Sequence, residues 1–253
     1  SRIVRLDLGT SIIDGRPVVD KIIERIPVTL TINILALILI LVVSVPLGIK
    51  AAGKPGSLFD KTTTVAVFVG FALPAFWVAL LLMQLFSIKL GWLPISGIKS
   101  LDFEYFSWPK KILDLAHHLV LPVFVSAIGG LAGFSRYIRQ NMVHALSQPF
   151  IITAKAKGLS QRQILYRHAF PNAVLPLITI LGLSVPGLLG GSIIFESIFA
   201  LPGLGQLFYT AVMMRDYNLI MASVVLGAVL TMLGNLAADI AYAYADPRIR
   251  YKK

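Results

Sequence analysis

Residues 48–55 come closer than any other segment to a phosphate-binding motif. They read GIKAAGKP, which matches most of a P-loop, the glycine-rich loop whose backbone N–H groups and lysine hold nucleotide phosphates. Pro55 stands where that motif requires a serine or threonine hydroxyl to hold magnesium, and an apolar run precedes the segment in place of a strand. Since no other glycine-rich loop has a lysine at the matching place, the sequence predicts that this chain does not hydrolyse ATP.

Two carboxylates fall within or beside long apolar stretches, where a charge is costly and usually functional. They are Asp239, within the last such stretch, and Glu196, at the end of the stretch before it. Both could carry protons in a proton-coupled secondary transporter. Each also lies near the end of its stretch, from which it can reach lipid head groups or a neighbouring chain. Structural roles are therefore the favoured interpretation, and proton coupling stays open as the alternative.

The sequence offers little other material for catalysis or metal binding. Cysteine is absent, and the adjacent His117 and His118 point in different directions on a helix, so one metal ion cannot easily bind both. The sequence contains no HExxH motif, no carboxylate cluster and no Ser–His–Asp arrangement. We predict no catalytic residue, no metal site and no cofactor bound by this chain, and an intramembrane enzyme is the least favoured class.

Five stretches without any Asp, Glu, Lys or Arg determine the fold class. They contain 22, 27, 21, 27 and 22 residues, and about 20 apolar residues at 1.5 Å rise cross the hydrocarbon layer of a membrane. Only 14% of the chain is charged, against roughly a quarter in soluble domains, and the mean hydropathy is +0.80. The sequence predicts an all-α integral membrane protein with five transmembrane helices at 28–49, 62–88, 115–135, 169–195 and 217–238.

The distribution of basic residues predicts the orientation in the membrane. If the connection between the first two spans faces the cytoplasm, that side holds 13 basic residues and two acids, and the other side 10 and nine. This bias explains the net charge of +11 without a nucleic-acid partner. The predicted domains are an extracytoplasmic segment 1–27, a transmembrane domain 28–246 and a cytoplasmic tail 247–253. A polar outer segment also predicts one further span upstream, six in the full-length protein.

The longest cytoplasmic connection, 147–171, has the pattern of a helix–turn–helix. It contains no acid, a short helical stretch precedes Gly158, and that glycine predicts the turn. Ser160 and Gln163 form the signature of a capping box, in which each side chain bonds to the backbone of the other. We expect Pro171 to end the second helix. A short helix after a sharp turn suits a groove on a partner protein, and an amphipathic helix on anionic lipid head groups is the alternative.

This connection resembles the cytoplasmic loop of bacterial ATP-binding-cassette (ABC) importer permeases, whose pattern is Glu-Ala-Ala, three residues, Gly, nine residues, Ile, one residue, Leu-Pro. When Gly158 is aligned, Ala154 and Pro171 also match, whereas the Glu and the Ile of the pattern are absent. The wording TAKAKGLSQRQILYRHAFPNAVLP is similar to the variant in permeases for peptides, nickel and related solutes. Further similar segments are DLGTSIIDGRPVVDKIIERIPVTL, LGWLPISG, FESIFALPGLGQL and YADPRIRY, so the resemblance spans essentially the whole chain.

The resemblance implies a permease subunit that forms the pathway for a small solute, foremost di- or oligopeptides, with nickel or oligosaccharides as alternatives. ATP and magnesium would bind to two separate ATP-binding subunits, docked on Thr153, Ala154, Gly158, Leu159, Ser160, Gln163, Ile164, His168 and Pro171. The other implied partners are a second homologous permease or a second copy of this chain, an extracytoplasmic solute-binding protein and the lipid bilayer. The implied location is the inner or plasma membrane of a bacterium or archaeon, with the C-terminus in the cytoplasm.

The segment before the last span, 195–215, contains a proline and two glycines that interrupt the apolar run. It predicts a turn and a short apolar helix on the outer face. In the resembling family this side receives solute from the binding protein. The candidate outer gate therefore consists of Glu196, Pro202, Gly203 and Gly205.

Overall fold

The structure is a computed structural model that describes residues 8–245, with side chains at all of these positions except 175, 178, 179, 183, 185, 186, 189, 238, 239 and 241–245. Its regular structure in this range is helical, and the β pairing described there is one isolated bridge between Thr10 and Pro17. The predicted all-α class is confirmed. The predicted tail 247–253 and the side chain of Asp239 lie outside the described residues.

The described chain contains the α-helices α1 (Val18–Gly53), α2 (Leu58–Ala72), α3 (Ala75–Leu82), α4 (Trp108–Leu146), α5 (Pro149–Ala156), α6 (Gln161–Gln163), α7 (Phe170–Ala173), α8 (Leu175–Leu189), α9 (Ile193–Ile198), α10 (Leu204–Met213) and α11 (Tyr217–Ala245). Two π-helices, Met83–Lys89 and Ile164–Ala169, continue α3 and α6, and a 3₁₀ turn, Phe103–Tyr105, precedes α4. The order is therefore long apolar helices separated by short helical connections.

The predicted span 62–88 is not one continuous helix. It breaks at Leu73, whose backbone is extended with φ −82° and ψ 134°. The cause is Pro74, because its ring excludes the helical conformation for the residue before it and it has no N–H to donate. At the other end of α2, the hydroxyl of Ser57 accepts a hydrogen bond from the backbone N–H of Asp60 at 3.3 Å and caps the helix.

Three described helices are long and apolar enough to cross a membrane: Val18–Gly53, Trp108–Leu146 and Tyr217–Ala237. Leu58–Ala72 and Ala75–Lys89 together give a fourth if the broken pair counts as one span. The predicted span 169–195 takes the form of shorter helices, α7 and α8, and α1 starts well before residue 28. The membrane class follows from these helices, and the number of five spans stays a prediction.

The described helices group into two compact units. Unit 1 comprises residues 8–36, 75–126 and 185–234. It has two apolar cores, of which the first contains Ile32, Ala79, Leu119, Leu121, Val125, Phe199 and Leu201. The second contains Val18, Ile22, Leu207, Ala211, Leu219 and Ala222. Unit 1 therefore holds the start of α1 and the whole predicted gate segment.

Unit 2 comprises residues 37–74, 127–184 and 235–245. Its core contains Ile49, Ala52, Ile138, Met142, Ala145, Ile151, Ala154, Ile164, Ala169, Ala173 and Leu177. These residues come from the C-terminal parts of α1 and α4, from α5 and α7, from the π-helix Ile164–Ala169 and from the start of α8. The helix–turn–helix connection is thus packed on the ends of two long helices.

Candidate functional site

The candidate docking element, residues 149–173, is a helix–turn–helix as the sequence predicts. After α5, Gly158 turns the chain with φ +74°, a left-handed conformation that glycine adopts without strain. The predicted capping box is confirmed, because Ser160 Oγ accepts from Gln163 N at 3.4 Å and Gln163 Oε1 accepts from Ser160 N at 2.9 Å. Gly158, Ser160 and Gln163 are all exposed, so the turn presents a polar, preformed surface.

Pro171 does not end the second helix, contrary to the expectation from the sequence. Helical structure continues past it as α7 and breaks at Val174. The residues before it form the π-helix, whose wider turns bond each N–H five residues back, as from Phe170 N to Leu165 O. A proline in the first turn of the segment that follows is tolerated, because its missing N–H has no partner to lose there.

The predicted docking residues divide into a buried and an exposed group. Ala154 and Ile164 are 4% and 6% exposed and belong to the core of unit 2. The exposed residues are Thr153, Gly158, Ser160, Gln163 and Pro171, and Leu159 and His168 are half-buried. The buried pair holds the docking element on unit 2, whereas the exposed group is accessible to a partner.

Gln161, which the sequence analysis did not single out, ties the docking element to α1. Its Nε2 donates to the carbonyl of Gly53 at 2.9 Å. Leu165 packs on the same glycine so closely that an added Cβ there would lie 3.2 Å from the leucine Cδ1. The last carbonyls of a helix lack partners within the helix, so the end of α1 was the signal that an outside donor was needed.

Asp60 and Arg139 form an ion pair that the sequence analysis also missed. The arginine Nε and one terminal nitrogen contact the two carboxylate oxygens at 2.5 and 2.7 Å. Asp60 is 3% exposed and also accepts from the backbone N–H of Gly56 at 2.9 Å. The pair therefore fixes the start of α2 and the turn before it to α4. The signal in the sequence was one acid among Lys50, Lys54 and Lys61.

Glu196 is the centre of the predicted gate segment and is 3% exposed. Its Oε1 accepts from Thr29 Oγ1 at 3.1 Å, and its Oε2 accepts from Gln206 N at 2.8 Å. The same threonine hydroxyl accepts from Leu204 N at 2.9 Å. One carboxylate and one hydroxyl thus join α1 and α9 to the first turn of α10.

Glycines surround the Glu196 carboxylate because no side chain would fit there. An added Cβ on Gly203 would lie 2.4 Å from the carboxyl carbon, and one on Gly191 would lie 2.6 Å from an oxygen. On Gly205 it would lie 2.7 Å from a backbone nitrogen of α9. The structure therefore brings together three of the four predicted gate residues, and Pro202 is half-buried beside them in the chain.

The segment 8–17, part of the predicted extracytoplasmic segment, is held by the fully buried carboxylate of Asp216. Asp216 accepts from the hydroxyl of Ser11 and, at 3.3 Å each, from the backbone N–H groups of Ile12 and Leu219. Sequence reasoning missed this carboxylate, since nothing in the spacing links positions about two hundred residues apart. Residues 8–17 are thereby attached to the start of α11.

An ion pair on the same segment adds a second attachment. Lys21 Nζ lies 2.8 Å from Asp14 Oδ2 and donates to Ser11 Oγ at 3.1 Å. The hydrogen bond from Lys21 lowers the pKa of the Asp14 carboxyl to about 2. The carboxyl is therefore ionised throughout the physiological range, and the pair links the segment to α1 without a pH switch.

The two adjacent histidines have separate partners. His117 Nε2 lies 2.7 Å from the carbonyl of Trp92, and His118 Nδ1 lies 2.8 Å from the carbonyl of Asp114. Their ring planes are 87° apart, so they point in different directions as predicted. Among the residues that the structure describes, no group of three or more His, Cys, Asp or Glu is placed to hold a metal ion.

The described residues thus include long apolar helices, a capped helix–turn–helix and a buried carboxylate surrounded by glycines. Residues 44–251 match the family described as binding-protein-dependent transport system inner membrane component. The chain belongs to this family. It is a permease subunit of an ABC importer and a multi-pass protein of the inner membrane, which confirms the resemblance and does not favour a proton-coupled transporter.

The chain is similar to peptide permeases over nearly all of its length. It is 45% identical over 249 residues to the oligopeptide transport system permease protein AppB of Bacillus subtilis. The aligned region covers 98% of this chain and 77% of AppB. It is 35% identical to the dipeptide transport system permease protein DppB of Escherichia coli, and the alignment covers 98% of this chain and 78% of DppB. The peptidoglycan transport system permease protein YejB of Agrobacterium fabrum is 34% identical, with 99% and 70% covered.

Solved structures show the same fold. The methionine ABC transporter MetNI in an inward-facing conformation matches with a TM-score of 0.69, covering 91% of this chain and 98% of that chain. A second crystal form of MetNI gives a TM-score of 0.67. Since the identities are 16% and 17%, this likeness shows the fold alone.

Proposed function

We propose that this permease imports di- or oligopeptides. The observation that carries the proposal is the 45% identity to an oligopeptide permease over 98% of the chain. The 35% identity to a dipeptide permease over the same share of the chain supports the same solute class.

We propose further that ATP and magnesium bind to two separate subunits, which dock on the exposed part of the docking element. A preformed turn and a capped helix lose little conformational freedom on binding, which favours association. The turn at Gly158 and the capping box of Ser160 and Gln163 supply such a surface, with Thr153, Leu159, His168 and Pro171 around it. Ala154 and Ile164 act as its buried base.

The anchor on α1 supports a rigid-body coupling. Because Gln161 bonds to the last turn of α1 and Leu165 packs on Gly53, a displacement of the docking element also displaces the end of α1. A transition between inward-open and outward-open states can then begin at the ATP-binding subunits and reach the spans as a shift of packed helices. Unit 2 is the part that would receive this displacement first.

The remaining parts of the proposal concern the other faces of the protein. A second homologous permease or a second copy of this chain completes the pathway, and an extracytoplasmic binding protein delivers the peptide. The excess of basic residues on one side supports a cytoplasmic position for the docking element and the C-terminus. Glu196, Pro202, Gly203 and Gly205 then form the outer gate, which Thr29 holds against α1.

The docking proposal is tested by isolating the full-length permease from its native host in mild detergent and identifying its partners by mass spectrometry. We expect a P-loop ATPase to co-purify with the wild type and to be depleted with Gly158→Asp. The matched control is Gly15→Asp, since Gly15 has φ +71° and open space around its Cβ position but lies in the segment proposed to be outside. Isolation of the wild type without an ATPase, or equal depletion by both variants, would contradict the docking proposal.

The solute and the gate are tested by uptake in a strain that lacks the native permease. We expect uptake of labelled oligopeptides, inhibited by excess unlabelled peptide and unaffected by nickel. Gly205→Ala should abolish it, because the added Cβ would lie 2.7 Å from backbone. Peptide-independent uptake of nickel would overturn the solute class, and normal peptide uptake by both Pro202→Ala and Gly205→Ala would overturn the gate.

A further inference from the structure

Unit 2 contains a groove along α2 and α4 that the proposed function does not use. It consists of two adjoining cavities of about 190 and 100 Å³, which share Val67, Phe68 and Arg136. The larger cavity is also lined by Leu47 and Ala51 near the end of α1. Because these three residues line both cavities, the two lie side by side along α2 and α4, and we call the pair the lateral groove.

The lateral groove changes from apolar to polar along its length. Phe71, Ala132 and Gly133 line one end, and Thr63 and Thr64 line the other. At 1.5 Å per residue, α2 rises about 10 Å between Thr64 and Phe71. A molecule that fills the groove must therefore be apolar at one end and form hydrogen bonds at the other.

The polar end has hydrogen-bonding capacity that the described chain does not use. The hydroxyl of Ser135 is buried and has no hydrogen-bond partner among the described residues. The hydroxyls of Thr63 and Thr64 also form no hydrogen bond within that part of the chain. Thr63 is half-buried and Thr64 is exposed, so solvent or a ligand can reach them. Because buried polar groups are nearly always paired, the buried Ser135 hydroxyl suits an acceptor from outside the chain.

Arg136 supplies the charge of the lateral groove. The neighbouring Arg139 is neutralised by Asp60, whereas Arg136 is exposed and has no carboxylate partner among the residues that the structure describes. Its guanidinium lies 5.4 Å from the ring centroid of Phe68, which orients it over the groove. A planar guanidinium with free N–H groups is the side chain best suited to a phosphate.

We propose that the lateral groove binds an anionic phospholipid of the cytoplasmic leaflet. The phosphate lies at Arg136 and the hydroxyl of Ser135, and the first part of an acyl chain lies against Phe68 and Phe71. The proposed orientation places this polar end on the cytoplasmic side, where anionic lipids attract basic residues near the membrane. A zwitterionic lipid supplies the same acyl chain but brings a positive ammonium group towards the arginine, so the charge selects the anionic lipid.

The test measures which lipids the assembled transporter retains. The transporter is placed in nanodiscs of phosphatidylglycerol and phosphatidylethanolamine, and the lipids that stay bound are identified by native mass spectrometry. We expect wild type to retain phosphatidylglycerol about fivefold over its bulk share, the effect of one basic residue at a membrane surface. Arg136→Gln should abolish the preference. Lys61→Gln, which removes an exposed charge from the same end of α2, should keep it. No preference in wild type, or its persistence in Arg136→Gln, overturns the proposal.

Two further measurements cover a failure of Arg136→Gln to fold. Gly133→Leu should fill the apolar end and displace the lipid, since an added Cβ there meets no atom within 4 Å and the helix is not strained. A p-benzoylphenylalanine introduced at Gly133 should give adducts of lipid mass after illumination. Adducts to a second permease chain or to the transported peptide, or retention of lipid by Gly133→Leu, overturn the assignment of the groove to lipid.

Discussion

Thr29 is the residue whose replacement tests the gate cluster most directly. Its hydroxyl donates to Glu196 Oε1 at 3.1 Å and accepts from Leu204 N at 2.9 Å, and the side chain is 1% exposed. Thr29→Val replaces that hydroxyl with a methyl group of similar size. Both partners then lose a hydrogen bond at a buried position where water does not replace it.

The magnitude follows from the two lost bonds. A hydrogen bond to a charged group contributes about 1.5–3 kcal/mol, and a buried N–H left without an acceptor costs about 1–3 kcal/mol. Since the two effects overlap at one atom, we expect a loss of about 3 kcal/mol. For a domain of this size each kcal/mol lowers the thermal midpoint by about 2–4 °C, so the expected decrease is roughly 6–12 °C.

The assay is the thermal midpoint of the purified assembled transporter in detergent, followed by the fluorescence of a fused reporter on size exclusion. Thr29→Ser keeps the hydroxyl and should retain most of the stability. Thr210→Val is the matched control, because that hydroxyl is exposed and bonds only to the carbonyl of Gln206 one turn earlier. If Thr29→Val has the same thermal midpoint as Thr29→Ser and Thr210→Val, the carboxylate cluster does not hold the gate segment.

Three further predictions concern unit 2. Asp60→Asn leaves a charged Arg139 without its partner, so it should lower the thermal midpoint by an amount that corresponds to about 1–3 kcal/mol. Adding Arg139→Gln should recover part of this loss, and no recovery in the double variant contradicts the pairing. Gly158→Asn should still co-purify with the ATPase, since asparagine adopts the left-handed conformation readily. Gly158→Val should destabilise the turn by about 1–2 kcal/mol and bind less ATPase. Equal binding of the ATPase by both variants contradicts a role for the turn. Gln161→Ala removes the hydrogen bond to Gly53, so it should leave the thermal midpoint nearly unchanged but lower the number of peptides imported per ATP hydrolysed. An unchanged number of peptides per ATP contradicts the coupling through α1.

Local patterns made the helix–turn–helix predictable. The capping box depends on two residues three positions apart, and the turn depends on one glycine, so the sequence contains all that is needed. The burial of Ala154 and Ile164 was not visible in the same way. Both lie in a core with Ile49 and Met142, which belong to other helices, and only the tertiary structure decides which face of a short helix is covered.

Composition predicted the membrane class but not the helix boundaries. Uncharged runs identify apolar segments, whereas α1 also includes four charged residues before the first run, because a helix can extend beyond the hydrocarbon layer. They are Asp20, Lys21, Glu24 and Arg25. The break at Leu73 was predictable in principle from Pro74. The partners of Asp60, Glu196 and Asp216 were not predictable, since each binds groups brought near it only by the packing of distant helices.

The glycines around Glu196 limit how this segment can change in evolution. A methyl group on Gly203 would coincide with the carboxylate, and one on Gly191 would meet both the carboxylate and the backbone of Gly205. A side chain at the position of Gly203 therefore requires the acid at the position of Glu196 to shift or shorten, whereas one at the position of Gly191 also requires the backbone of Gly205 to move. We therefore expect relatives that keep the acid to keep both glycines.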